Sequence, residues 1–344
     1  MAELRKDYFT DRFSIVNKER ILDLPIYEEE EDDGKDCPLC VGKEDTLPPA
    51  EFVLSSSHGS IIKTSDSIER VKEWKVRMIP NPRSLVSLDV TQTYSESPLY
   101  SEPAYGYDYI LIASPDHKEK FHKMSLEQWT YVLISLQDRI KSLLSKKKVI
   151  YVMASITQGK RAGVIYSHPY CRIVTLPRLP LKIEEEAKTV QTYKSETGSC
   201  IMCDVIKSEL GGPRHILSTD HFVALTPWAP THDFEFWIFP SKHETDFQRI
   251  TQREISDCVK IIRACLGALA KILKFPSFNM VIHTSPEKKI TKKIDWHVEI
   301  YPTLRAWGSL EKGMGIYEIQ VSPEVAAEKL RQYAKREFAD LTFE

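Results

Sequence analysis

The chain has 344 residues, 42% hydrophobic and 28% charged, with 47 Lys and Arg against 49 Asp and Glu. That composition supports real cores and excludes global disorder, and only 13 Gly and 20 Pro exclude collagen-like or low-complexity chains. A net charge of −2 gives no general drive toward nucleic acid, and no apolar run approaches the length of a membrane span. The start, Met1-Ala2-Glu3-Leu4-Arg5-Lys6, lacks the apolar core of a signal peptide, so a cytoplasmic protein is expected. Seven Cys is an odd number, and four of them form two Cys-x-x-Cys pairs. Without an export signal, that pattern reads as metal binding in a reducing compartment.

In chain order, an acidic run from Glu28 to Asp33 reads as a solvated loop, and Cys37-Pro38-Leu39-Cys40 follows. Residues 84–106 are rich in Ser, Thr, Tyr and Pro without periodicity, which predicts a long surface loop. A β-prone run from Tyr107 to Ala113 stops at Ser114-Pro115-Asp116-His117. Ser125-Leu126-Glu127-Gln128 is a capping box, opening a helix with Leu126, Trp129, Leu133, Leu136, Ile140 and Leu143 on one face. A strand from Val149 to Ile156 leads to Gly159-Lys160-Arg161-Ala162-Gly163 and then His168-Pro169-Tyr170-Cys171.

The second half repeats this grammar. Cys200-Ile201-Met202-Cys203 opens it, and strands are expected over His221 to Leu225 and Phe234 to Phe239. The second ends at Pro240-Ser241-Lys242-His243. Thr251-Gln252-Arg253-Glu254 is another capping box, with Ile255, Val259, Ile262, Leu266, Leu269 and Leu273 facing inward. A strand from Phe278 to His283, a basic loop from Lys288 to Lys293, and Trp296-His297-Val298-Glu299 follow. Ser322-Pro323 starts a C-terminal helix. His232 and His283 read as ordinary histidines, and Cys258 and Cys265 as core residues.

Repetition at this scale implies two copies of one α+β unit, joined within the polar stretch 180–199. The expected domains are 1–185 and 186–344. Each half offers the two thiols and two imidazoles of a structural zinc site: Cys37, Cys40, His117 and His168, then Cys200, Cys203, His243 and His297. Two zinc ions per chain are therefore expected. A redox role is disfavoured, because no thioredoxin-like βαβ context surrounds either pair.

At His168-Pro169-Tyr170-Cys171-Arg172 the chain resembles the galactose-1-phosphate uridylyltransferase family, within the histidine-triad superfamily. The resemblance extends through Val76-Arg77-Met78-Ile79-Pro80-Asn81-Pro82, His221-Phe222-Val223-Ala224-Leu225, Trp296-His297-Val298-Glu299-Ile300-Tyr301-Pro302 and Ser322-Pro323-Glu324. It implies an α+β fold of two tandem histidine-triad-like domains, each a curved antiparallel sheet with packed helices. It also implies structural zinc, a homodimer, and nucleotidyl transfer between a sugar nucleotide and a sugar phosphate. In the family the nucleophile is the second His of a His-Pro-His-x-Gln motif, and the Gln supports the phosphoryl oxygens. Here Tyr170 stands at the nucleophile position and Arg172 at the Gln position. Thr157-Gln158-Gly159 matches the family's Asn-x-Gly, and Ile165 replaces a polar Ser.

A phenol is mostly protonated at neutral pH, so Tyr170 attacks phosphorus only with a base or a strongly lowered pKa. Cys171 is a lesser candidate, its side chain pointing away from its neighbour's. The leading expectation is a catalytically silent zinc protein retained to bind a nucleotide or a macromolecule. Asn81, Gly159, Gly163 and Arg172 are its candidate phosphate contacts. The alternatives are an active nucleotidyltransferase or phosphorylase with altered machinery, and a scaffold docking RNA or an assembly through Lys288–Lys293.

Overall fold

The computed structural model describes residues 2–18, 32–57, 60–89, 98–286 and 293–341. Of the expected loops, residues 28–31, 90–97 and 288–292 lie outside the described residues, which leaves the basic loop represented by Lys293 alone.

The chain begins with a hairpin, β1 (Ala2–Lys6) and β2 (Phe13–Asn17). Next come β3 (Phe52–Ser57), β4 (Ser60–Thr64), β5 (Val76–Pro80) and β6 (Asp108–Ile112). Helix α1 (Leu126–Leu144) leads to β7 (Tyr151–Gln158) and β8 (Tyr170–Leu176). Helices α2 (Leu181–Thr197) and α3 (Ile201–Glu209) precede β9 (His215–Ser218), β10 (Phe222–Leu225) and β11 (Phe236–Pro240). The chain closes with α4 (Gln252–Leu273), β12 (Phe278–His283), β13 (His297–Pro302), α5 (Ser309–Met314), β14 (Ile316–Ile319) and α6 (Pro323–Leu341).

Eleven strands form one sheet in the order β4-β3-β5-β6-β8-β7-β12-β13-β11-β10-β9. The order repeats on either side of the β7–β12 junction, where Ile156 pairs with Met280 at the middle of an antiparallel ladder. From that pair outward the registers also repeat, Ile156 facing Cys171 on one side and Met280 facing Ile300 on the other. The sheet is thus two half-sheets of like strand order joined edge to edge. The boundary expected at 185/186 falls inside α2, so the polar joint is a helix rather than a linker. Its Glu and Lys residues are good helix formers, and Gly198 closes it in the left-handed conformation at φ +78°.

Both helix starts follow their capping signals. Thr251 forms the complete reciprocal box with Glu254. Ser125 accepts from the Gln128 backbone N–H, but the Gln128 amide turns away to donate to the carbonyls of Lys75 and Ala113. Helices α1, α4 and α6 bury their apolar stripes on one face of the sheet, with Trp129, Leu133, Leu136, Ile262 and Leu269 in that core. On the opposite face, α2 and α3 cover the second half around Met202, Trp237 and Phe239. The Cys37–Ala50 segment covers the first half around Leu39, Ile110, Ile112 and Tyr170. A small sheet, β1-β2-β14, joins the N-terminal hairpin to the C-terminal segment, β14 running parallel to β2. Among the described residues no helix is long and apolar enough to cross a membrane.

Candidate metal and nucleotide centres

The first candidate metal set converges in space. Cys37, Cys40, His117 and His168 place one ligand atom each within 4.8 Å of the others. The Cys pair sits on consecutive turns after Gly34, His117 follows β6, and His168 precedes β8. His168 directs Nδ1 to Cys40 Sγ at 3.7 Å, while its Nε2 lies 2.7 Å from the Ser114 carbonyl. That carbonyl fixes the proton on Nε2 and leaves the Nδ1 lone pair for a cation. His117 Nδ1 stands 3.4 Å from Cys40 Sγ. Burial, then the neighbouring Cys37, pushes the Cys40 thiol up to about 11 in the metal-free arrangement. A soft tetrahedral donor set in which thiolates await a counter-cation fits zinc.

The second set differs from expectation. Cys200, Cys203 and His243 converge, but their fourth partner is Asp295, not His297. Asp295 Oδ2 lies 3.4 Å from Cys200 Sγ and 3.0 Å from His243 Nδ1. The reason is strand register. Asp295 lies in the loop before β13, still close to the start of α3. His297 is already paired with His283 across the β12–β13 ladder. Burial raises the Asp295 carboxyl and the Cys200 thiol, the latter to about 12, and His243 is the open side of the site at 59% exposure. Two thiolates, one imidazole and one carboxylate still fit zinc, with one harder ligand.

His297 belongs to a third cluster, which the sequence reading missed. Glu186 from α2, His283 from β12, and His297 and Glu299 from β13 are all buried and again bring ligand atoms within 4.8 Å. His283 bridges the two carboxylates, 3.2 Å from Glu186 and 3.3 Å from Glu299. Lys182 adds an ammonium 2.6 Å from both Glu299 and the Tyr301 hydroxyl. Burial alone would raise Glu299, yet His283 and Lys182 outweigh it and hold that carboxyl well below its usual range. The available signal was alternation: His297 and Glu299 share a face of β13, and His283 faces them in register. Nothing local placed Glu186 there.

The candidate phosphate contacts are largely committed elsewhere. Tyr170 is 6% exposed, packed among Ile110, Ile112 and Leu39, with Tyr166 edge-on at 5.8 Å. Its hydroxyl accepts from the Ile165 N–H at 3.4 Å, and burial raises its pKa. Arg172 donates to both oxygens of buried Asp108 at 3.1 and 2.7 Å, and the Asn81 amide donates to the same carboxylate at 3.0 Å. Cys171 faces the opposite, helix-packed core, as strand alternation predicts. Ile165 is 54% exposed on the adjoining loop. Gly159 is needed for its backbone, since at φ +85° an added Cβ would stand 2.1 Å from Ser277 Oγ. A cavity of about 260 Å³ opens beside the first Cys/His cluster. Gly159 and His168 line it, while Tyr170, Arg172, Asn81 and Gly163 do not.

This antiparallel sheet with Cys/His clusters at its strand ends defines an α+β protein with candidate metal centres. No family model matches the chain. Individual known proteins do match it. It is 28% identical to ADP-glucose phosphorylase of Arabidopsis thaliana, covering 96% of this chain and 92% of that one. It is 25% identical to galactose-1-phosphate uridylyltransferase of Thermotoga maritima, covering 96% and 98%. The crystal structure of an ADP-glucose phosphorylase from Arabidopsis thaliana with bound ADP-glucose superposes with a TM-score of 0.78 at 27% identity, covering 96% of this chain and 99% of that one. Over nearly its whole length the chain is thus similar to members of the galactose-1-phosphate uridylyltransferase family.

Proposed function

We propose that this protein is a zinc-stabilised member of the family that binds a nucleotide sugar without transferring its nucleotidyl group through residue 170. The observation that carries the reading is the state of Tyr170 and Arg172. The phenol at the nucleophile position is packed into a core, and the guanidinium at the adjacent polar position is held by Asp108 through Nε and Nη2. A nucleophile must reach the phosphorus, and a charge-stabilising donor must be free to point at the developing charge. The burial of Tyr170 and the turn of Arg172 toward Asp108 support a reading in which neither plays that part. The ADP-glucose bound by the Arabidopsis structure supports a nucleotide sugar as the ligand class. Zinc is assigned to Cys37, Cys40, His117 and His168, and to Cys200, Cys203, His243 and Asp295, where it would tie loops to strand ends. A cytoplasmic homodimer belongs to the same reading.

The full-length likeness to ADP-glucose phosphorylase favours one alternative, an active phosphorylase or nucleotidyltransferase with a different nucleophile. The discriminating experiment incubates the protein with ADP-glucose or UDP-glucose plus phosphate or galactose-1-phosphate, and looks for turnover and for covalent nucleotidyl label. The proposal expects neither in the wild type. Turnover on the order of 1 per second or faster overturns it. Loss of that turnover in Tyr170→Phe would then name Tyr170 as the nucleophile.

A further inference from the structure

Pro276 stops α4, and the residue that turns the chain out of the helix is Lys274, at φ +60° and ψ −63°. Across it the Phe275 N–H donates to the Leu273 carbonyl at 2.7 Å. This is the γ-turn of positive φ, a rare and strained form, at a position where glycine would carry no such strain. Strain held in a residue with a side chain is a pointer to function. Here the turn brings Lys274 and Phe275 to the wall of the cavity of about 260 Å³ beside the first Cys/His cluster, with Phe275 left 47% exposed.

The same wall is basic, in a chain whose net charge is −2. The segment before α1 supplies Lys118, Lys120 and Lys123, and the turn after β7 supplies Lys160. With Lys274 that makes five ammonium groups against two carboxylates, Asp32 and Glu119. Both carboxylates are engaged. Asp32 accepts from the Gly34 N–H at 3.0 Å, and Glu119 bonds to Ser114. Asp32 also draws Lys160, and Asp33 draws Lys118. Lys123 and Lys274 have no ion-pair partner among the described residues. The field is felt by His122, buried in the same wall: after burial itself, Lys123, Arg263 and Lys120 drive its imidazole toward the neutral form. Unmatched cations around a concave wall attract a multiply charged anion.

We propose that this cavity binds a small oligophosphate, held by Lys123 and Lys274 with Lys118 and Lys160 close by. The volume sets the size. It lies just below the range of pockets that enclose drug-sized ligands, so it suits a di- or triphosphate rather than a whole nucleotide sugar. The phosphates come either from an inorganic oligophosphate or from the tail of a nucleotide whose base lies on Phe275. The site does not use Tyr170 or Arg172, so its failure would leave the nucleotide-sugar reading untouched.

The test titrates the full-length protein with inorganic pyrophosphate, tripolyphosphate and ADP by calorimetry. Metal content is measured before and after, because oligophosphates also chelate cations. The expected result is saturable binding that weakens as salt rises. Lys123→Ala should weaken pyrophosphate about tenfold, the low end for a charge-assisted hydrogen bond. Lys274→Gly should weaken it by a similar factor while raising the melting temperature, because the ammonium is lost and the strained turn relaxes. That opposition separates a binding role from misfolding. Lys312→Ala with Lys335→Ala, two exposed lysines outside the cavity wall, should change nothing. If Phe275→Ala weakens ADP but not pyrophosphate, the phosphates belong to a nucleotide; if it weakens neither, the ligand is the inorganic ion. Four results overturn the proposal: no saturable binding of any of the three probes up to about 5 mM; affinity unchanged when Lys123→Ala and Lys274→Gly are combined; an equal loss in the Lys312 and Lys335 control; or heat that appears only as metal is released.

Discussion

Arg172 and Asp108 form a two-pronged ion pair across β8 and β6, at 3.1 and 2.7 Å, with the Asp108 side chain fully buried. This pair decides how much of a phosphate site survives in the first half. Replacing Asp108 by Asn leaves Arg172 without its counter-charge. Removing one partner of a buried pair usually costs about 3–5 kcal/mol, reduced here because Arg172 is partly solvated. The expected outcome is a urea midpoint well below wild type, together with tighter binding of inorganic phosphate. An Asp108→Asn protein of wild-type stability would show that the pair is not structural.

Metal content should follow the clusters rather than the motifs. Cys203→Ser and Asp295→Ala should each lower zinc by one equivalent in elemental analysis of chelator-free protein, and His297→Ala should leave that equivalent in place. Because burial keeps the metal-free thiols protonated, zinc uptake should release protons and weaken as pH falls. A buffer-dependent heat of zinc binding measures that release directly.

His122 gives a pH signature. It is buried, and burial, helped by Lys123 and Arg263, lowers its pKa to about 4. The Gln158 amide nitrogen lies 3.3 Å from its Nδ1, and this contact only partly offsets the burial. The folded pKa lies below the unfolded value, near 6.5. The contribution is therefore complete above about pH 6.5 and lost as pH falls toward 4. At pH 5 the loss should be about 2 kcal/mol. His122→Asn should flatten the fall in stability between pH 7 and pH 5, as read by urea unfolding at each pH. An unaltered pH profile would show that His122 does not titrate in this window.

The two glycines of the turn after β7 should respond differently to Ala. Gly159 combines φ +85° and ψ 144° with a Cβ clash against Ser277, whereas Gly163 at φ +87° and ψ 25° faces open space. Gly163→Ala should cost about 1–2 kcal/mol, the usual left-handed penalty. Gly159→Ala should cost clearly more, because its backbone region is essentially closed to side chains and the neighbour must also move. Thermal melts of the two variants side by side read the order directly.

Much of this was legible because strands and helices announce themselves locally. Phe278–His283 is bounded as its β-branched and aromatic residues suggest, and the Thr251 and Ser125 caps open α4 and α1. The first Cys/His set was legible because each member sits in a distinctive short motif at the end of a strand or in a turn. What failed was long-range register. Whether Asp295 or His297 reaches Cys200 depends on where β13 begins to pair, and a two-residue difference moves the side chain into a different cluster. The polar stretch at 181–197 carried no sign that Glu186 would be buried against two histidines. Nor did local pattern reveal that Asp108 would claim Arg172, since that pair forms only when β6 and β8 lie side by side.

The β7–β12 ladder has a mechanical consequence. A chain of two duplicated units joined by a flexible linker melts in two steps, but here the seam is itself a ladder of backbone hydrogen bonds under a shared layer of helices, with α1 against α4. Damage in one half must therefore be felt in the other. Replacing Cys37 and Cys40 by Ser should lower the melting temperature of the whole molecule in one cooperative transition, and the far cluster around Cys200 should loosen with it.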